Sequence, residues 1–323
     1  MLQDLKFALW LTIALVAFCA LDLFHQFLTI SVIQPTHHCL PMTNHDACYL
    51  CSRRRLLLQG PALWLAFAGA APQQSQAREG VDVGRNSMFA KLVPAEIIEK
   101  SAAQQYLQMM KQAASQNALA GKEHPQLRRL RAIAQKTIVH TLGWNPRAAN
   151  WKWEVNLIGS KQINAFCMPG GKIAFYSGIL EGLKLTDDEV ATVMGHEVAH
   201  ALREHARERI GKNAATGVGA TLLSQALGLG QLGQTVTNYG AQLLTLQFSR
   251  SDESEADLVG MELAARAGFD PRAGVSLWQK MAAASRGAPP QWLSTHPSGS
   301  SRITDIEANL PKVLPLFARS RPQ

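Results

Sequence analysis

The spacing His196-Glu197-Val198-Ala199-His200 restricts this chain more than any other feature it carries. Thr186 followed by Glu189 forms a capping box, in which hydroxyl and carboxylate satisfy the first free amides, so a helix begins there. Asp187 and Asp188 suit its positive end. At about 100° per residue, His196 and His200 lie roughly 40° apart on one face, with Glu197 roughly 60° from His200. Two imidazoles on one face can share a metal. The carboxylate between them reaches toward the metal's open position, where a hydrolytic water is activated. The spacing therefore points to His196 and His200 as ligands of one zinc ion per chain, and to Glu197 as general base.

Two histidines leave the metal short of a third protein ligand. A histidine six residues after the second would serve, but that position is Ala206. His205, extrapolated along the same helix, points roughly 140° away from His200. Ala220 to Gln225 holds no acid. The next acidic cluster, Ser251-Asp252-Glu253-Ser254-Glu255-Ala256-Asp257, opens a helix running toward Gly268. Glu253 and Asp257 share a face with Ala256, Gly260 and Ala264, whose small side chains allow close approach to another helix. Glu255 points nearly opposite. Glu253 is thus the candidate third ligand, and Asp257 the candidate acceptor that orients a ligand histidine through its free ring nitrogen. The alternative is an acidic helix start favoured by the helix dipole.

Around these helices the chain reads as α+β and mostly helical. Pro94 opens a helix through about Gln116, and a second carries Leu127, Leu130, Ile133, Ala134, Thr137 and Ile138 at three- and four-residue spacing. Trp153, Val155 and Leu157 alternate with polar residues as a strand does. Gln162 to Cys167 and Lys172 to Tyr176 form a hairpin through Met168-Pro169-Gly170-Gly171. The expectation is a small antiparallel sheet beside the zinc helix. Its strand Ile173, Ala174, Phe175 and Tyr176 is assigned to hold an extended substrate, with ordinary sheet structure as the alternative. Gly211 to Tyr239, rich in Gly, Ala, Leu and Gln, reads as a packing helix or a cover over the site.

The N-terminal part is of a different kind. Phe7 to Leu21 is apolar, and a softer run continues to Ile33. Ser52-Arg53-Arg54-Arg55-Leu56-Leu57-Leu58 precedes a further apolar run to Ala71, which resembles a twin-arginine export signal. Small residues suit cleavage at Ala68-Gly69-Ala70 or Ser75-Gln76-Ala77. Residues 42–77 are therefore read as the export signal. Residues 1–41 are read as sequence upstream of a start at Met42, or as a membrane anchor. The metallopeptidase domain spans 83–312, with a tail at 313–323. Cys39, Cys48 and Cys51 with His37, His38 and His45 match no standard zinc spacing. Of five cysteines only Cys167 lies beyond the cleavage sites, so the domain needs no disulfide and Cys167 reads as a buried thiol. A net charge of +8 is modest, and no Lys/Arg block lies beside aromatics, which argues against a nucleic-acid partner.

Three motifs together resemble family forty-eight of the metallopeptidases, a gluzincin group. They are Ile163-Asn164-Ala165-Phe166 with its Pro-Gly-Gly turn, His196-Glu197-Val198-Ala199-His200, and Ser249-Arg250-Ser251-Asp252-Glu253-Ser254-Glu255-Ala256-Asp257. A fourth, Ser294-Thr295-His296-Pro297 leading to Arg302, matches the family's late His-Pro motif. The likeness is nearest to the family's periplasmic protease-chaperones and mitochondrial inner-membrane stress proteases. It implies a zincin-type fold and, independently of the helical geometry, Glu253 as third zinc ligand. It also implies that His296 can plug the site in a resting state. Arg302 would then bind substrate or the oxyanion, with a salt bridge as the alternative.

The resulting expectation is a zinc endopeptidase acting on unfolded or misassembled envelope proteins, periplasmic after export. The alternatives are a chaperone-like binding protein with a closed zinc site, and a protease anchored in the inner membrane by the N-terminal apolar segments that cuts membrane proteins.

Overall fold

The computed structural model describes residues 78–215, 243, 245–285, 290–297 and 301–320. The apolar N-terminal runs and the segment read as an export signal lie outside the described residues, as does the Gly/Ala/Leu/Gln-rich stretch beyond Ala215. Among the described residues no helix is long and apolar enough to cross a membrane.

Helices α1 (Ala95–Ser115) and α2 (Pro125–Ile138) come first. Strands β1 (Glu154–Ile158), β2 (Ala165–Met168) and β3 (Lys172–Tyr176) follow, and then the short helix α3 (Ser177–Gly182). Next are α4 (Asp187–Leu202) and α5 (His205–Ala215). The C-terminal part is α6 (Arg250–Arg266), α7 (Ala273–Ala284), α8 (Gln291–Thr295) and α9 (Arg302–Ser320).

The sheet order is β1-β3-β2, with β3 parallel to β1 and antiparallel to β2. The sheet is therefore mixed rather than antiparallel, because residues 159–164 carry the chain back across before β2 begins. The substrate strand must also be reassigned. Ile173, Ala174, Phe175 and Tyr176 lie in the central strand, whose backbone is paired on both sides and whose Ile173, Ala174 and Phe175 are fully buried. That strand has no free edge to offer a peptide. Within the sheet, β1 and β2 are the two edge strands, and β2 is the one that runs against α4.

Helix α4 begins where the sequence places it. The Thr186 hydroxyl accepts from Glu189 N–H, and the Glu189 carboxylate accepts from Thr186 N–H at 2.8 Å. Glu189 is buried and also takes bonds from Ser276 at 2.7 Å and Lys280 at 2.6 Å. Burial works against its ionisation, but the Lys280, Thr186 and Ser276 donors outweigh it and leave its pKa below the ordinary carboxylate value. One side chain thus caps the zinc helix and ties it to α7. Every residue from Val193 to Leu202 is buried, so α4 is the central rod of the domain.

Helix α6 crosses α4 at two glycines. A Cβ on Gly195 would lie 2.5 Å from the Gly260 carbonyl oxygen, and one on Gly260 would lie 2.5 Å from His196 N. The backbones touch there, with no side chain between them. The stripe of small residues Ala256, Gly260 and Ala264 allows this, and it sets the distance between the two helices that carry the site.

Candidate metal centre

His196 and His200 project from α4 into the core, 2% and 3% exposed. Their Nε2 atoms are 3.1 Å apart. Across the glycine contact, Glu253 in the first turns of α6 brings Oε2 to 3.5 Å from His196 Nε2 and Oε1 to 3.4 Å from His200 Nε2. His296, the residue after α8, adds Nδ1 at 3.3 Å from His196 Nε2 and 3.0 Å from Glu253 Oε1. One ligand atom from each of the four residues lies within 4.8 Å of all the others.

These separations test whether a metal fits. Around a tetrahedral zinc with bonds of about 2.0–2.1 Å, neighbouring donor atoms stand about 3.3 Å apart. The distances among His196, His200 and Glu253 bracket that value. Nitrogen and carboxylate oxygen donors are also the set zinc takes. His200 is held neutral, since burial pushes its pKa well below the usual imidazole range, and a metal needs the neutral ring. Burial opposes the charge on Glu253, but its contacts with the His200 and His296 rings outweigh it and bring its pKa below the ordinary carboxylate value. The residues present fit zinc.

The surrounding groups aim the ligands. Asp257 Oδ1 lies 3.0 Å from His196 Nδ1, as the four-residue spacing from Glu253 suggests. That contact puts the ring proton on Nδ1 and leaves Nε2 free for the metal. Burial raises the pKa of Asp257, yet the Arg302 charge and the His196 bond bring it below the ordinary value. Arg302, 3% exposed, spends its guanidinium on acids: Nε and a terminal nitrogen each reach Asp257 at 2.6 Å, and the other reaches Glu253 Oε2 at 2.7 Å. Of its two sequence readings, the ion pair is the one that its present contacts occupy.

Glu197 lies beside the donors, 2% exposed, with Oε1 accepting the Trp292 indole N–H at 2.6 Å. His296 Nε2 stands 3.6 Å from the same oxygen. For His296, burial disfavours the charged ring, but the Glu197 and Glu253 carboxylates outweigh it and raise the pKa above the usual value. Trp292 stacks on His296 with ring centroids 4.9 Å apart, so α8 delivers both residues together. A cleft of about 310 Å³ opens over Glu197, His200 and His296. Its walls include Phe166 and Met168 of the edge strand β2, Tyr176, Leu246 and Phe248.

Sequence reasoning missed Trp292, whose only signal is its place four residues before His296. It also set His205 aside by extending α4 too far. The helix ends at Leu202, Glu204 takes a positive φ of 60°, and the chain restarts as α5. His205 Nδ1 consequently comes to 2.9 Å from His200 Nδ1.

The sequence pattern of peptidase family M48 matches residues 126–310, more than half of the chain. The chain belongs to peptidase family M48. Zinc is the metal of the M48 metallopeptidases, in agreement with the donor set. Among its M48 relatives, the mitochondrial metalloendopeptidase OMA1 of Arabidopsis thaliana is 41% identical over 150 residues, covering 46% of this chain and 30% of that protein. The β-barrel assembly-enhancing protease of Yersinia pestis is 33% identical over 206 residues, covering 57% of this chain and 42% of that protein. The metalloprotease LoiP of Escherichia coli is 31% identical over 174 residues, covering 53% of this chain and 67% of that protein. Thus the chain spans less than half the length of the first two.

Proposed function

We propose that this chain is a zinc-dependent endopeptidase that cleaves unfolded or misassembled polypeptides of the cell envelope. One observation carries the reading: donors from α4 and α6 converge at tetrahedral spacing directly beneath a cleft that holds a buried carboxylate and a sheet edge. In this reading His196, His200 and Glu253 hold the metal, and Asp257 and Arg302 fix the positions of His196 and Glu253. Zinc held there supplies a Lewis acid for the scissile carbonyl and acidifies water toward neutral pH. Glu197 takes the proton from the attacking water and passes it to the departing amine. An extended substrate pairs with the edge of β2, and the apolar cleft walls receive its side chains. Backbone pairing reads extension rather than sequence, which supports unfolded chains as the substrate class. The export signal and the relative named for β-barrel assembly support the envelope as the place of action.

The test is metal content and cleavage of a casein-type unstructured protein by the purified chain. Cleavage should vanish with a chelator and return with added zinc; cleavage indifferent to the chelator would remove the metal from the account. N-terminal sequencing of the same preparation should find a chain beginning after Ala70 or Ala77. An intact Met1 would end the export reading and favour the anchored one.

A second reading has its own support. Trp292 and His296 both engage Glu197 Oε1, at 2.6 and 3.6 Å, so the base is occupied by side chains of the protein itself, as a resting site would have it. If His296 is a plug, His296→Ala frees a donor position and Glu197 together. Turnover of the unstructured protein should then rise several-fold with zinc still bound. A fall in turnover would instead make His296 part of the catalytic step.

A further inference from the structure

The two histidines of α4 are supported in unlike ways. His196 meets a carboxylate directly, through Asp257. His200 meets another imidazole: His205 Nδ1 lies 2.9 Å from His200 Nδ1, with the rings edge to face at 76°. His205 is 1% exposed. Its Nε2 is buried with no partner in full hydrogen-bonding geometry, and Glu255 Oε2 is 3.4 Å away. Glu255 is held in turn by Arg203, whose Nε donates to Oε1. Phe248 stacks on the face of the His200 ring, with centroids 4.0 Å apart.

Proton bookkeeping gives this row a direction. His200 Nε2 faces Glu253 and His196, so a metal there requires its lone pair, and the ring proton must sit on Nδ1. That N–H needs an acceptor, which obliges His205 to present a bare Nδ1. The proton of His205 then sits on Nε2 and faces Glu255. We propose that His205 is a positioning residue for the metal site, fixing the tautomer and ring plane of His200, with Glu255 as the carboxylate that fixes His205 in turn. The turn at Glu204 is what makes this possible, since an uninterrupted helix would carry His205 away from His200.

The inference rests on the zinc-site reading, and the test separates the two. Zinc affinity of the full chain is measured by competition with a chromophoric chelator, with folding followed by circular dichroism. His205→Phe keeps a ring but no acceptor, and should weaken zinc binding about 10–100-fold, the usual cost of losing an orienting partner. His205→Asn puts a carbonyl oxygen near the position of Nδ1 and should restore most of the affinity. Glu255→Ala should weaken binding in the same direction.

If the wild-type chain binds no zinc, the metal-site reading itself fails. If it binds zinc and a folded His205→Phe binds as tightly, the relay is wrong. Equal losses in the Phe and Asn variants also overturn it, because ring packing rather than an acceptor would then be at work. Should His205→Phe not fold, the Glu255→Ala affinity decides, and a wild-type value there overturns the proposal.

Discussion

Glu197→Gln should lower turnover of an unstructured polypeptide by about 10²–10⁴-fold, the range a positioned acid-base group contributes. Gln has nearly the same shape as Glu, and its amide oxygen can still accept the Trp292 indole N–H that Glu197 Oε1 accepts at 2.6 Å. Folding and zinc content should therefore stay at wild-type levels. What disappears is the capacity to take a proton from water and return it to the leaving amine. Zinc would remain bound beside an equally shaped cleft, so the loss should fall on kcat rather than KM. Turnover within tenfold of wild type would remove Glu197 as the base. The variant also separates the enzyme from its rival: if Glu197→Gln supports envelope function as well as the wild type, a chaperone-like binding protein is the better description.

Arg302→Leu should destabilise the metal-free domain by about 3–5 kcal/mol, the cost of breaking a buried ion pair by removing one partner. Arg302 is 3% exposed and lies 3.7 Å from the ring centroid of Trp278. Its guanidinium counters two buried carboxylates at once, Glu253 and Asp257. Without it both acids face each other and the low-dielectric core with no cation between them. Added zinc should recover part of the loss, since a metal restores positive charge beside Glu253; zinc at 100 times its dissociation constant adds about 2.7 kcal/mol. Denaturant unfolding with and without zinc reads both effects. A metal-free loss below about 1 kcal/mol would show that Arg302 is not the structural counter-ion. A variant of full stability with a raised KM would return it to substrate binding.

How much of this was readable before folding follows from the range of each interaction. The capping box at Thr186, the common face of His196 and His200, and the four-residue interval between Glu253 and Asp257 are all local. Helical geometry alone relates their positions, so the amino-acid order was enough to propose them. The mostly helical α+β class, the hairpin through Gly170 and Gly171, and the family likeness were legible for the same reason.

What the tertiary structure decided is whatever depends on pieces distant along the chain meeting, or on a helix stopping where no Gly or Pro announces it. Strand order is one case: a parallel β1–β3 pair makes β3 central and leaves β1 and β2 at the edges, and no alternation of apolar residues states which neighbour a strand will have. The end of α4 is another, for Glu204 adopts a positive φ that favours glycine, and that single turn swings His205 onto His200. Last is the approach of α6, where Gly195 and Gly260 permit backbone contact but only packing of the whole core makes them meet. Local propensity named the ligands' faces, while burial and chain reversal chose their companions.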